Sequence, residues 1–289
     1  MKPISVVIPA YNESRHIATV IGAVTEFMKK ERIEYEIIVV DDFSTDDTAQ
    51  SAERAGATVI SHPMNRGYGA SLTTGIKKSR YNDILIMDAD GTYPVPEIKK
   101  LLPYIGDFDM VVGARQGKHY HGSPVKRISR GIFYLLISYV TGDHVPDANS
   151  GLRIFRKDVV MKFEDDFCSG FSFTTTITLV LLCNNRLIKF VPIDYQPRVG
   201  SKSKVRYFRD TARTFQILLQ TVSYYIPLKA FLPFTIISLL LSLVFTILYF
   251  AKAGNIFYGL SAVVTFLSSM AFLGLGLIAY SIVRGKKGL

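Results

Sequence analysis

The sequence lacks the motifs that mark several common protein classes. It has only two cysteines, Cys168 and Cys183, and their spacing fits neither a metal site nor a redox pair, so we expect both to be packing residues. The turn after the first predicted strand, residues 9–13, contains no glycine, whereas a nicotinamide-dependent oxidoreductase would carry G-x-G-x-x-G there. No nucleic-acid-binding motif is present. These absences argue against a disulfide framework, a dehydrogenase and a nucleic-acid-binding protein.

Charge is missing from two long stretches near the carboxyl end, residues 230–251 and 256–283. Each exceeds the roughly 20 apolar residues that span a bilayer, and the short gap between them predicts a transmembrane hairpin. Basic residues flank the hairpin, so the positive-inside rule places both flanks and the amino-terminal domain in the cytoplasm. The flanking residues are Arg206, Arg209, Arg213, Lys229, Arg284, Lys286 and Lys287. Residues 1–11 hold too short an apolar run for a signal peptide, so we expect none.

The formal net charge of +10 indicates acidic partners. A bilayer surface and phosphorylated substrates account for it without nucleic acid. The apolar run at residues 131–137 follows several basic residues and is too short to span a membrane, which leaves an interfacial helix and a buried core helix both open. Apolar positions between 208 and 226 recur at helical spacing and predict a second interfacial helix, whose basic edge binds either anionic lipid or an acceptor phosphate.

Short apolar runs alternate with helical patterns through the first part of the chain. Strands are predicted at residues 4–8, 36–40, 58–61, 83–87 and 110–113, and helices at 15–30, 48–55, 69–79 and 96–102. This alternation predicts an α/β domain with a Rossmann-like parallel sheet. Ligands of such sheets gather beyond the carboxyl ends of the strands, so acidic residues at those ends are candidates for a site.

Asp88 and Asp90 stand where the fourth predicted strand finishes. Strand alternation points residues i and i+2 to the same side, so both carboxylates can converge on one hard divalent cation. An Asp-Gly turn is the alternative, and the motif by itself leaves the two interpretations equal. Asp41 and Asp42 follow the second strand in the same way, and there a structural role and a contact to a base or ribose are both open.

Two weaker sequence patterns are interpreted from the residues around them. Gly67 and Gly69 form a lone G-x-G, which predicts a flexible turn with a helix amino terminus facing an anion. Arg153 and Arg156 lie near Asp147 in the sequence. A structural ion pair and, for Arg153, a role in ordering the site are equally open.

A series of spaced motifs resembles a known family. The motifs are VIPAYNE at residues 7–13, DDFSTD at 41–46, NRG at 65–67, DAD at 88–90, GAR at 113–115, KRISRG at 126–131, DANSGLR at 147–153, and Arg198 with Ser203 and Lys204. Their order and spacing resemble the inverting family 2 glycosyltransferases of the GT-A fold, and within them the polyprenyl-phosphate glycosyltransferases of the dolichol-phosphate mannose synthase group. The resemblance covers roughly residues 2–206.

The resemblance implies a role for each matched position. Donor-binding residues would be Pro9, Ala10, Tyr11, Glu13, Asp41, Asp42, Asp88, Ala89, Asp90 and Arg115. Acceptor-phosphate-binding residues would be Lys126, Arg127, Ser129, Arg130, Arg198, Ser203 and Lys204. The catalytic residues would be Asp88, Asp90, Arg115 and Arg198, with Mg²⁺ or Mn²⁺ held by Asp88, Asp90 and Thr92.

Two positions depart from the family pattern. Relatives often carry Gln where this chain has Thr92, so either the Thr92 hydroxyl or water takes that place on the metal. Relatives also often carry Glu where this chain has Thr176. An acceptor hydroxyl needs a general base, but a phosphate monoester, with a second pKa near 6, is already ionised at neutral pH. The departures therefore favour a phosphate acceptor, although the acids at residues 164–166 remain an alternative source of a base.

These observations predict an integral membrane hexosyltransferase with three parts: a cytoplasmic catalytic domain at residues 1–205, an interfacial helix at 206–228 and a transmembrane hairpin at 229–289. The expected partners are a GDP- or UDP-hexose donor, a polyprenyl or dolichyl phosphate acceptor and the lipid bilayer, with homo-oligomerisation left open. The alternatives are transfer to a membrane glycolipid hydroxyl, and a non-catalytic membrane scaffold that binds a nucleotide sugar.

Overall fold

Strands and helices alternate along the amino-terminal part of the chain, as their hydrophobic patterns predict. The computed structural model describes residues 2–116, 124–167, 173–197, 216, 220 and 222–286. The strands are β1 (Ile4–Ala10), β2 (Tyr35–Asp41), β3 (Thr58–Ser61), β4 (Asp83–Ile86), β5 (Met110–Gln116), β6 (Arg153–Arg156) and β7 (Ile188–Asp194). The α-helices are α1 (Ile17–Lys30), α2 (Thr48–Arg54), α3 (Tyr68–Lys78), α4 (Ile98–Leu101), α5 (Pro124–Thr141), α6 (Lys157–Val160), α7 (Phe173–Cys183), α8 (Pro227–Ala251) and α9 (Ile256–Lys286).

The described strands form one sheet in the order β3-β2-β1-β4-β6-β5-β7. Most neighbours are parallel, but β6 runs antiparallel to both β4 and β5. The prediction of a wholly parallel sheet is therefore wrong at β6, which the hydrophobic pattern did not identify. The strand is only four residues long and has arginine at both ends, so it lacks the continuous apolar run by which buried parallel strands are recognised.

The reversed strand has a consequence for the carboxyl edge of the sheet. Because β6 is antiparallel, its first residue, Arg153, is paired with Ile86 at the end of β4 and with Val112 in β5. The loop that precedes β6, residues 147–152, therefore lies beside the residues that follow β4. A polar loop from the second half of the domain is thus brought to the edge where ligands bind in such sheets.

Both faces of the sheet are covered by apolar side chains. Alternating residues of β1 divide between the two faces: Val6 and Ile8 belong to one buried cluster and Val7 to the other. Helix α1 covers the first face with Ile17, Val20, Ile21, Val24 and Met28, which recur at three- and four-residue spacing. On the second face, Leu72 and Ile76 of α3 and Ile177 of α7 pack against β1 and β4.

Helix α3 approaches β1 closely at Gly75. A Cβ atom at this position would lie 2.4 Å from Val7 Cγ1 and 3.2 Å from Val40 Cγ2. Only glycine leaves room for the two β-branched side chains beneath it. The distance between α3 and the sheet therefore depends on this residue, and α3 begins at the site described below.

The carboxyl-terminal residues form a separate compact unit, residues 216–289, whose described helices α8 and α9 pack against each other. Both are long and apolar enough to cross a membrane. Ser242 Oγ donates a hydrogen bond of 2.9 Å to the Ala262 carbonyl on the facing helix. The connection at residues 252–255 is short, as the sequence predicted, and Ala253 and Gly254 adopt positive φ in this tight turn.

Replacing Gly75 with alanine tests the packing of α3. We expect Gly75→Ala to destabilise the protein by about 1–3 kcal/mol, because the new methyl group overlaps Val7. The matched control is Gly22→Ala in α1, where a Cβ meets nothing within 4 Å, and which should stabilise the helix by about 0.5–1 kcal/mol. Thermal melting followed by circular dichroism measures both. Equal melting temperatures for the two variants would contradict this account of α3.

Candidate active site

The carboxyl ends of β1, β2 and β4 meet at one edge of the sheet, because β1 lies between the other two. The turns after β1 and β2 are joined by hydrogen bonds. The Asn12 backbone N–H donates to Ser44 Oγ (2.9 Å), and the Thr45 N–H donates to Asn12 Oδ1 (2.8 Å). The Glu13 N–H donates to Thr48 Oγ1 (2.9 Å). The predicted donor-binding residues Pro9, Ala10, Tyr11 and Glu13 are thus held next to those that follow β2.

Asp41 is the last residue of β2 and is 5% exposed. Its Oδ2 atom accepts a long hydrogen bond of 3.3 Å from the Ser44 N–H. Its Oδ1 atom is buried and has no hydrogen-bond partner among the described residues. Such a buried acceptor costs free energy unless a donor reaches it, and a ligand can supply that donor.

Asp42 is buried like Asp41, but both of its carboxylate oxygens accept hydrogen bonds from the protein. Oδ1 is bonded to His62 Nδ1 and to the Arg66 N–H, and Oδ2 to the Gly67 N–H, each at 2.8 Å. His62 Nε2 lies 3.0 Å from Thr74 Oγ1 on α3. These contacts give Asp42 the role of holding the turn that begins α3. Gly67 occupies that turn with φ of +94°, which explains the need for glycine there.

Asp88 and Asp90 follow β4, as predicted, and both are half-buried. The Tyr68 hydroxyl donates to Asp88 Oδ1 at 2.8 Å. Burial and the neighbouring Asp88 charge raise the pKa of Tyr68 well above its usual value, so this hydroxyl keeps its proton. The Thr92 N–H and hydroxyl donate to Asp90 Oδ1 at 3.1 and 2.7 Å. Each carboxylate is therefore oriented by its own hydroxyl donor, Tyr68 for Asp88 and Thr92 for Asp90.

Gly151 leaves the space that Asp88 occupies. A Cβ atom at position 151 would lie 2.5 Å from Asp88 Oδ2 and 2.7 Å from Oδ1, so any other residue would displace the carboxylate. The Gly151 N–H donates to the buried Tyr93 hydroxyl at 2.6 Å. This bond fixes the loop before β6 to the segment that carries Asp90. The loop brought by the reversed strand thus forms one wall around Asp88.

Asp147 in the same loop is fully buried and pairs with Arg115 of β5. Arg115 donates through Nε (2.7 Å) and Nη2 (3.0 Å), and its backbone N–H donates at 3.1 Å. The Tyr134 hydroxyl and the Asn149 N–H donate to Oδ1 at 2.9 and 3.1 Å. Burial acts to raise the pKa of Asp147, but the Arg115 charge and these hydrogen bonds outweigh it, and the pKa lies below its usual value.

Arg153 is fully buried under this loop. Its guanidinium donates to the carbonyls of Ser150 (2.5 and 3.0 Å), Ala148 (3.2 Å) and Thr174 (3.0 Å). Burial lowers the pKa of Arg153 to about 10, so the group stays charged at neutral pH. Of the two roles left open for Arg153, the structure favours the second, because the guanidinium orders the loop through backbone carbonyls and forms no ion pair with Asp147. Arg156 pairs with Asp158 instead.

Helix α5 contributes to the site with one face and exposes apolar side chains on another. Tyr134 reaches Asp147, while Ile132, Leu135 and Tyr139 are 56%, 70% and 43% exposed and recur at three- and four-residue spacing. The helix is thus not fully buried, and its exposed face is apolar. An interfacial helix requires such an exposed apolar face. Of the predicted acceptor residues, Arg130 is half-buried on α5.

Arg198, Ser203, Lys204 and Cys168 lie outside the described residues, as do the side chains of Lys126, Arg127 and Ser129. Most of the predicted helix at 206–228 also lies outside them. Thr176 is buried in α7, Glu164 forms an ion pair with Lys77, and Cys183 is half-buried and not part of a disulfide.

The oxygen ligands at this site suit a hard divalent cation that also binds a substrate. Among the described residues, no group of three or more Asp, Glu, His and Cys side chains could hold a metal ion by itself. Asp88 and Asp90 supply carboxylate oxygens, which Mg²⁺ and Mn²⁺ prefer, and substrate phosphates and water commonly complete such a site. The Thr92 hydroxyl, predicted as a ligand, donates to Asp90. The residues fit a metal that arrives with a diphosphate.

Sequence reasoning missed the residues that support the carboxylates. The sequence pattern marks Tyr68 only as part of a flexible G-x-G turn, and it indicates no separate role for Tyr93, Tyr134 or Gly151. The available signal was the position of Tyr68, the first residue of a helix facing the strand ends. The other contacts depend on the antiparallel pairing of β6, which the hydrophobic pattern did not show.

The sequence is similar to those of known glycosyltransferases. Residues 5–163 match the model of the Glycosyl transferase family 2. The low-salt glycan biosynthesis hexosyltransferase Agl6 of Haloferax volcanii is 32% identical over 231 residues, which are 77% of this chain and 54% of that protein, so this chain matches about half of its length. The undecaprenyl-phosphate 4-deoxy-4-formamido-L-arabinose transferase of Pseudomonas fluorescens is 26% identical over 310 aligned positions, covering 99% of this chain and 89% of that protein.

A solved structure shows the same fold. Glucosyl-3-phosphoglycerate synthase from Mycobacterium tuberculosis, in complex with Mn²⁺, UDP and glucosyl-3-phosphoglycerate, superposes with a TM-score of 0.63 at 19% identity, covering 76% of this chain and 80% of that one. The family match spans more than half of the chain and includes the strand ends that carry Asp41, Asp88 and Arg115. This chain therefore belongs to glycosyl transferase family 2 and is a glycosyltransferase.

Proposed function

We propose that this enzyme transfers a hexose from a GDP- or UDP-hexose to polyprenyl or dolichyl phosphate, with inversion, at the cytoplasmic face of a membrane. The observation that carries the proposal is the pair Asp88 and Asp90, each oriented by a hydroxyl donor after β4. The loop that packs against Asp88 through Gly151 also carries Asp147, the buried carboxylate that holds the Arg115 guanidinium. This arrangement suits a sugar diphosphate, whose charge it can hold as the glycosidic bond breaks.

The reaction is a single displacement. An oxygen of the acceptor phosphate attacks the anomeric carbon of the hexose from the face opposite the leaving group, and the bond to the nucleoside diphosphate breaks. When bound, Mg²⁺ or Mn²⁺ would neutralise charge that develops on the leaving diphosphate. Asp88 and Asp90 would hold that ion, and Arg115 would face the same charge, fixed in orientation by its two bonds to Asp147.

The nucleoside would bind at the ends of β1 and β2. Asp41 Oδ1 is the buried acceptor that a base N–H or a ribose hydroxyl would satisfy. Tyr11, 37% exposed, stands at the end of the neighbouring strand. Asp42 supports this pocket by fixing the turn before α3. Pro9, Ala10 and Glu13, in or just after β1, are buried.

A lipid-linked phosphate acceptor is supported by three features. The Pseudomonas relative is named for transfer to undecaprenyl phosphate, and it aligns with nearly all of this chain. Two helices are long and apolar enough to anchor the enzyme in a bilayer. Helix α5 exposes an apolar stripe next to Arg130, which suits a position at the membrane surface. A domain boundary near residue 205 and an interfacial segment after it remain part of this proposal.

A phosphate acceptor also fits two of the positions at which a general base could have been expected. Glu164, one of the acids that could have served a hydroxyl acceptor, forms an ion pair with Lys77. Thr176 is buried and carries no carboxylate. A phosphate acceptor arrives ionised at neutral pH and needs neither group.

The experiment is transfer of radiolabelled hexose from a panel of UDP- and GDP-sugars to polyprenyl phosphate in liposomes, with Mn²⁺ or Mg²⁺ and with EDTA. We expect labelling of the lipid phosphate by one donor class, abolished by EDTA and reduced on the order of 100-fold or more by Asp90→Ala. The matched control is Asp107→Ala, an exposed aspartate before β5, which should keep full activity. Metal-independent transfer, or label in a glycolipid without phosphate, would contradict the proposal.

Removing the Tyr68 hydroxyl tests how Asp88 is oriented. Tyr68→Phe keeps the ring but deletes the hydrogen bond to Asp88, and a bond to a charged group is worth more than a neutral one. We expect the metal concentration for half-maximal transfer to rise roughly tenfold. Tyr81→Phe is the control, because its hydroxyl bonds to Glu34 before β2 and lies away from the site. An unchanged metal dependence in Tyr68→Phe would show that Tyr68 does not contribute to metal binding.

A further inference from the structure

Phe43 has an unusual backbone conformation. It adopts φ of +67°, in the left-handed region that bulky residues avoid. Among the described non-glycine residues, Arg32, Asn185 and Ala253 also have positive φ, but each follows the end of a helix, where this conformation is common. Asn12, the remaining one, is of a type that tolerates it. Phe43 follows a strand, so helix termination does not explain it.

The phenyl ring of Phe43 does not offset this backbone strain by packing into the core. The side chain of Phe43 is 51% exposed, so it contributes little to the core. The bonds that fix the turn are made by its neighbours: Ser44 to Asp41 and Asn12, and Thr45 to Asn12. Glycine at position 43 could make the same backbone turn without strain. A strained residue that the fold does not require is commonly kept for a functional reason.

The surroundings of Phe43 indicate that reason. Large exposed apolar side chains follow three adjacent strands: Tyr11 after β1, Phe43 after β2 and Met64 after β3. Elsewhere among the described residues before residue 216, such side chains lie on α5 and at Leu187. Asp41, two residues before Phe43, holds the buried Oδ1 atom that lacks a partner. A flat ligand with an apolar face and an N–H edge satisfies both features, and a nucleobase is such a ligand.

We propose that Phe43 is a stacking platform for the base of the donor nucleotide, and that its left-handed backbone is retained to present the ring beside the Asp41 carboxylate. This rests on the proposed function, since it assumes a nucleotide donor at the ends of β1 and β2. Phe43 would then contribute to donor affinity without touching the reacting atoms.

The test compares three substitutions at position 43 by calorimetric titration of the full-length protein in detergent with UDP and with GDP, in the presence of Mn²⁺. Phe43→Gly removes both the ring and the strain, so we expect binding on the order of tenfold weaker and a melting temperature about 2–4 °C higher. Phe43→Ala removes the ring but keeps the left-handed backbone, so binding should weaken without the gain in stability. Phe43→Trp should bind at least as tightly as the wild type.

The matched control is Arg32→Gly, which relieves a positive φ on an exposed residue after α1. It should raise the melting temperature and leave nucleotide binding unchanged. Unchanged binding in both Phe43→Gly and Phe43→Ala would overturn the proposal, and a loss of liposome association in those variants would then assign the ring to the membrane.

The outcomes separate this proposal from the proposed function. If the wild type binds neither nucleotide, the donor site fails and the stacking role fails with it. If the wild type binds one nucleotide and the position 43 variants bind it equally well, the donor site stands and only the role of Phe43 is wrong.

Discussion

A carboxylate that is buried away from water must be given hydrogen-bond donors, and Asp147 receives them from three parts of the chain. Arg115 comes from β5, Tyr134 from α5 and Asn149 from the loop itself. One side chain therefore joins a sheet strand, a helix with an exposed apolar stripe and the loop that leaves space for Asp88. Arg153, buried beneath, ties the same loop to α7 through the Thr174 carbonyl.

The contacts of Asp147 depend on the direction of β6 in the mixed sheet. A parallel strand at the position of β6 would leave its preceding loop at the opposite edge of the sheet. The antiparallel direction instead places Gly151 against Asp88 and Asp147 against Arg115. Under the proposed function, the charges that would face a diphosphate are oriented by donors that are themselves fixed, which is the preorganisation that electrostatic catalysis requires.

The sequence predicted the elements and site residues that follow from a local pattern. It predicted fewer of those that depend on how distant segments pair in the sheet. Strands β1 to β5, helices α1 to α3 and the two carboxyl-terminal helices were predicted near their observed positions, because each has a strong period or a long apolar run. Strands β6 and β7 were not predicted; in β6, four residues with arginine at both ends carry no such signal. The acids Asp88 and Asp90 were found from their position after a strand. Their supporting residues were not, since Tyr68 and Gly151 reach Asp88 only through tertiary packing.

The most direct test of this account is the substitution Arg115→Lys, which keeps the positive charge but loses the two-pronged bond to Asp147. If the orientation of the guanidinium holds the leaving diphosphate, transfer to polyprenyl phosphate should fall by roughly tenfold or more, while circular dichroism shows a folded protein. If the lysine variant transfers hexose at the wild-type rate, charge alone suffices, and the arrangement around Asp147 is not what prepares the site for catalysis.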